Sequence, residues 1–169
     1  MDLSSLSQIA EIIAAIAVVV TFIFVGLEVR ANTRATRSSA AHDAMSGMRE
    51  FFMLLGANEQ ASIVWFRGIT DPEALSPEET LQFFALIHSA FLAFQSSYSM
   101  TAEGTLDPEL RDSITSSVAA VKDLPGFKKY WAERKDFFKA GFREYIDDII
   151  MRGRTLENQT LYQNTKPGN

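Results

Sequence analysis

The chain has 169 residues, a net charge of −5 at pH 7 and no cysteine. The missing cysteines exclude disulfides, thiolate zinc sites and cysteine nucleophiles, and the acidic balance argues against a nucleic-acid partner. Once a membrane segment is set aside, the length leaves room for one small globular domain and no second.

The first element is an apolar run. Ile12 to Leu27 are sixteen consecutive uncharged residues, closed by Glu28 and followed by Arg30, Arg34 and Arg37. At ~1.5 Å per residue they span roughly 24 Å of a ~30 Å hydrocarbon core, and the uncharged flank back towards Leu3 supplies the rest. A cleaved signal peptide would open on cations, yet the first cation here is Arg30. A core helix would show a polar stripe, and this run is apolar all round except for Thr21. The expectation is a single transmembrane helix. Asp2 and Glu11 flank its start and the three arginines follow its end. The positive-inside bias therefore puts the N-terminus outside and the C-terminal domain in the cytoplasm.

Two further features belong to this helix. Arg30, Arg34 and Arg37 fall at i, i+4 and i+7, on one face that can meet lipid headgroups. Ala10, Ala14, Ala17, Thr21, Phe24 and Glu28 alternate four- and three-residue steps, a seam of mostly small side chains suited to helix association in lipid. Glu28 at its inner end then calls for a partner, such as Arg30 or Asn32 of a neighbouring helix.

Beyond Glu28 no proline interrupts the chain before Leu55, so the helix is expected to continue. Ala41, Ala44, Met45, Met48, Phe52 and Leu55 recur at helical steps as an apolar stripe. Gly56-Ala57-Asn58 reads as a stop and a new start, with a short helix from Glu59 to Arg67 burying Ile63, Val64 and Trp65 or Phe66, and Gly68 ending it. Ser76-Pro77-Glu78-Glu79 carries a capping box for a helix reaching about Ala102, with Phe84, Ile87, Phe91, Phe94 and Tyr98 on one side. Gly104 suits a left-handed C-cap. Asp107-Pro108 starts a helix to about Lys122, and Leu124-Pro125-Gly126 breaks it. Helices from Phe127 to Phe137 and from Ala140 to Arg152 follow. Gly153 is the expected stop, and residues 154–169 form a polar tail.

No segment alternates with the period of a strand. The predicted fold is all-α: residues 1–37 as anchor and basic juxtamembrane segment, 38–153 as a helical bundle, 154–169 as tail. Charge is segregated along the bundle. Residues 59–112 hold nine acids and two cations, whereas residues 122–154 hold nine cations and six acids. The two stretches are complementary, or the basic one faces the membrane.

Chemistry is sparse. His42 and His88 stand in no metal-ligand spacing, His88 among apolar neighbours as a hydrogen-bonded core-edge residue and His42 in solvent. The Gly-x-Ser-x-Gly, Gly-x-Gly-x-x-Gly and phosphate-loop patterns are missing. Asp147 and Asp148, adjacent on a helix, diverge by ~100° and cannot share a proton. No catalytic residue, metal or cofactor is therefore expected. The thirteen phenylalanines, notably Phe83, Phe84, Phe91 and Phe94, offer an apolar pocket, although such spacing more often packs a core.

One resemblance rests on pieces in a fixed order: Asn32-Thr33-Arg34-Ala35-Thr36-Arg37, Trp65-Phe66-Arg67-Gly68, Leu75-Ser76-Pro77-Glu78-Glu79, Gly104-Thr105-Leu106-Asp107, Pro125-Gly126 and Trp131-Ala132-Glu133-Arg134. From about Leu6 to Ile150 the chain resembles an uncharacterised bacterial family of small single-pass inner-membrane proteins with a helical cytoplasmic domain. The resemblance implies a bacterial inner-membrane location and brings no activity or site residue with it. The expected function is a membrane-anchored interaction or scaffold protein, self-associating or accessory to a larger membrane complex. The alternative is a membrane-tethered sensor or carrier of an apolar small molecule. An enzyme is not expected.

Overall fold

Helix starts in this chain are written by proline and by short polar caps. Ser76 accepts from the Glu79 backbone N–H at 3.2 Å while the Ser76 N–H donates to the Glu79 carboxylate at 2.9 Å, a complete capping box with Pro77 in the first turn. Asn58 and Asp107 cap the same way, through the N–H groups of Ala61 and Glu109. In a computed structural model, which describes residues 3–152 and within them the side chains of all but residues 3–7, 9, 10 and 15, six α-helices result. They are α1 (Leu3–Ala57), α2 (Glu59–Thr70), α3 (Pro77–Ala102), α4 (Pro108–Val121), α5 (Pro125–Arg134) and α6 (Ala140–Met151), with 3-10 turns at Pro72–Ala74 and Lys135–Phe137. Among the described residues there is no strand. Gly153 and the polar tail lie outside them.

The chain divides into two units, one ending at Ser39 and one starting at Ala40. In the first, α1 carries a stretch long and apolar enough to cross a membrane, and none of that window is buried within the chain. Ile16 is 58% exposed, Phe22 72% and Phe24 66%. A core helix of this unit would instead cover these side chains.

In the second unit the core condenses around α3. Phe91 is 2% exposed and its ring lies 5.1–6.5 Å, centre to centre, from those of Phe94, Phe127, Tyr130, Trp131, Phe138 and Phe142. Burying such a ring contributes roughly 1.5–3 kcal/mol, and each well-set aromatic pair about 0.5–1.5 kcal/mol more. α5 and α6 are thus fastened to α3 mainly through aromatic side chains.

Several expectations need correction. The buried side of α1 in this unit is Ala40, Ala44, Met48 and Phe51, whereas Met45 and Phe52 are 51% and 57% exposed. Ala44 and Met48 of the expected stripe are buried and Ala41 and Leu55 pack against the core, so the stripe is turned by only about half of the ~100° step between residues. α2 does not stop at Gly68 but runs to Thr70, and its buried residues are Ala61, Val64, Gly68 and Ile69, while Ile63 is 42% exposed. Gly68 is instead a contact glycine: a Cβ there would meet the Phe83 ring at 2.3 Å. Pro125 both breaks α4 and occupies the first turn of α5, which ends at Arg134. The 3-10 turn after it delivers Phe138, 5% exposed, to the core. Gly104 has the left-handed backbone expected of it, with φ of +74°.

Candidate functional site

The two charged stretches meet through one ion pair among the described residues, Lys129 Nζ to Glu73 at 2.7 Å; the other pairs are local. Charge complementarity is thus a minor term, since exposed pairs contribute only about 0–1 kcal/mol each.

The residues singled out on α1 lie on an uninterrupted helix. Ala14, Ala17, Thr21 and Glu28 are exposed, and the side chain of Ala10 is outside the described set. The Thr21 hydroxyl donates to the Ala17 carbonyl at 2.8 Å, so it is satisfied within its own helix. Glu28 has no hydrogen bond or ion pair among the described residues, and neither have Arg30, Arg34 and Arg37, all exposed.

Polar chemistry in the bundle is self-satisfied. No buried side-chain nitrogen or oxygen lacks a partner among the described residues, and no three potential metal ligands gather there. His88 Nδ1 lies 2.6 Å from the Tyr130 hydroxyl, the core-edge hydrogen bond foreseen for it. Burial first, and Arg134 second, hold the imidazole below its usual range, while burial pushes the Tyr130 phenol up. The phenol therefore stays protonated, and the imidazole tautomer sets which of the two groups donates. His42 is exposed. Asp147 accepts from the Trp131 indole at 2.7 Å and Asp148 pairs with Arg152, so the adjacent acids face different partners. Tyr145 bridges Asp112 at 2.9 Å and Thr115 at 2.7 Å under the Arg111 guanidinium, which sits 4.8 Å from its ring centre. Each of these side chains has a partner within the network.

Two hollows open among the described residues: a shallow polar one lined by Arg111, Asp112, Tyr145 and Arg152, and an apolar one. The apolar one is a cavity of about 290 Å³ in the bundle. α1 supplies Met48, Phe51, Phe52 and Leu55, an i, i+3, i+4, i+7 face, and α3 supplies Ile87, Ala90, Phe91 and Phe94 in the same spacing. α4 adds Ser117, Val118, Ala120 and Val121, and Trp65 and Phe127 complete the wall. The space exists because Ala90, Ser117 and Ala120 are too short to fill the gap between helices held apart by the rings of Phe51, Phe91 and Phe94. Ser117 and the indole nitrogen of Trp65 are the polar groups of the wall, and the Ser117 hydroxyl is turned to the Ile114 carbonyl at 3.3 Å. Phe52 lines the cavity and is still 57% exposed, which marks the mouth.

Of the four phenylalanines noted in the sequence, Phe91 and Phe94 reach this cavity, while Phe83 and Phe84 pack elsewhere in the core. The short side chains Ala90, Ser117 and Ala120, which the sequence pattern does not single out, complete the wall. No family model, curated protein or solved structure matches the chain. The functional reading therefore rests on these residues alone.

Proposed function

We propose that this chain is a membrane-tethered, non-enzymatic binder of an apolar small molecule, a sensor or a carrier. The observation that supports it is the cavity: about 290 Å³, walled almost entirely by carbon. Ligand pockets are mostly apolar clefts that start at roughly 300 Å³, so this one sits at the lower edge of the range. The anchoring half of the proposal draws on the exposed apolar stretch of α1, with Arg30, Arg34 and Arg37 against lipid headgroups. In this reading the protein sits in a bacterial inner membrane, N-terminus outside and bundle in the cytoplasm.

The test is native mass spectrometry of the full chain extracted in mild detergent. The expected result is a co-purifying apolar adduct that disappears in the cavity-filling variant Ala120→Phe. An adduct-free protein whose stability is untouched by apolar additives would sink the proposal. Sidedness is read separately, because a chain without native cysteine accepts single reporters: Ser4→Cys should react with an impermeant maleimide from outside, and Ser38→Cys only after lysis.

A second reading is an interaction protein, self-associating along Ala10, Ala14, Ala17, Thr21 and Glu28 or docked on a membrane partner. It is favoured by Met53 and Leu54, 64% and 45% exposed on the side of α1 turned away from the cavity, which a partner would cover. A defined oligomer in the same spectra would support it, and a clean monomer would count against it.

A further inference from the structure

We infer that the cavity takes one unbranched hydrocarbon chain of about a dozen carbons, with any polar end left at the mouth beside Phe52; this rests on the ligand-binding reading above.

Three observations carry it. The first is size. An apolar cavity of ~150 Å³ holds one benzene ring, and 290 Å³ is roughly twice that, hence about twelve carbon atoms. The second is shape: the wall runs from Met48 to Leu55 on α1 and from Ile87 to Phe94 on α3. Seven residues at ~1.5 Å each make both stretches about 10 Å long, a slot along two helices. About a dozen carbons fully extended are longer than this slot, so it favours a chain that can bend and leave its last carbons at the mouth over a rigid pair of rings of equal volume. The third is chemistry. With Ser117 turned to the Ile114 carbonyl and no cation on the wall, a carboxylate or phosphate inside would lose its hydration for nothing. The head therefore remains in water or among lipid headgroups while the tail enters. The acyl tail of a bilayer lipid and that of a free fatty acid or alcohol present the same chemistry here.

The test uses the full-length protein in digitonin, which carries no alkyl chain of its own to compete. Binding of n-alkanols of increasing length is measured by calorimetry, with naphthalene as the compact comparison. Affinity should rise roughly fourfold per added methylene, the equivalent of about 0.8 kcal/mol, and level off near a dozen carbons. Ala120→Phe, and independently Ser117→Leu, should weaken the longest chains at least tenfold with helix content unchanged by circular dichroism. Affinity independent of chain length, or naphthalene binding as tightly as a chain of equal volume, would overturn the chain assignment and leave the ligand reading standing. Failure of chains and rings alike would remove both. Extraction of the native protein then identifies the source: intact glycerolipid masses mark the bilayer, free acids or alcohols a soluble donor.

Discussion

The backbones of Gly68 and Gly126 touch: a Cβ on Gly126 would lie 2.0 Å from the Gly68 carbonyl oxygen. The last turn of α2 and the first turn of α5 therefore approach at a distance that a side chain on Gly126 would prevent, and Phe83 closes over Gly68. Gly68→Ala and Gly126→Ala are each expected to destabilise the bundle by about 1–3 kcal/mol or more, because neither a backbone nor a core ring can step aside cheaply. Gly56→Ala is the control, with nothing within 4 Å of the added carbon. There the change should be neutral or stabilising by about 0.5–1 kcal/mol. Urea unfolding followed by circular dichroism separates the three.

The start of α3 is held twice. Ser76→Ala removes half of the capping box and should cost about 1 kcal/mol. Glu79→Ala removes the other half together with the 2.6 Å pair to Arg67, whose side chain is 43% exposed and so adds little. The double variant should lose less than the sum, since both single changes break one reciprocal unit. Strict additivity in thermal unfolding would contradict that coupling.

Trp131→Phe should keep the stack on Phe91, at 5.1 Å and 25°, and lose only the indole donor to Asp147. Hydrogen bonds to charged groups contribute about 1.5–3 kcal/mol, so the loss falls in that range. Asp147→Asn keeps an acceptor and should lose less. Equal denaturation midpoints for all three proteins would show that the contact contributes nothing.

Acid should weaken the bundle through His88. Its folded pKa is lowered, first by burial and then by Arg134, so below its ordinary value of about 6.5 the unfolded chain binds more protons than the folded one. Stability is therefore full above that value and declines as pH falls through the window down to the folded pKa. His88→Gln should flatten this part of the profile while leaving the carboxylate-driven loss at lower pH. A wild-type profile that is level from pH 7 to the carboxylate range would refute the assignment.

Membrane attachment should respond to charge at the middle of the apolar stretch. Val19 is 57% exposed there, and an aspartate at a helix centre costs about 2.5–3.5 kcal/mol on insertion. Val19→Asp should shift protein from the alkali-resistant membrane pellet to the supernatant, whereas Ser39→Asp should not. Indifference of the pellet fraction to Val19→Asp would argue against insertion.

Much of this architecture was legible in the residues because its punctuation is local. Ser76-Pro77, Asp107-Pro108 and Gly104 act through a bond or a dihedral within four residues, so they can be read without knowing the neighbours. Gly68 could not be read that way. A glycine late in a helix serves equally as a stop or as a site of close approach, and only Phe83 and Gly126, distant in sequence, decide between them. The stripe on α1 was legible only in part for a related reason: Ala44 and Met48 are buried as expected, but Ala40 and Phe51 are covered in place of Met45 and Phe52, and which edge of the stripe is covered depends on where α3 lies. The cavity was the least legible of all. Periodicity says which face of each helix turns inward, but not whether the facing side chains are long enough to meet.

The two tryptophans are placed so that the molecule reports on itself. Trp65 forms part of the cavity wall, and Trp131 lies in the aromatic core with its indole nitrogen tied to a carboxylate. Emission from the first should track occupancy and emission from the second the integrity of the packed interior. A single ultraviolet titration on paired Trp→Phe variants thus distinguishes filling from unfolding without any added dye.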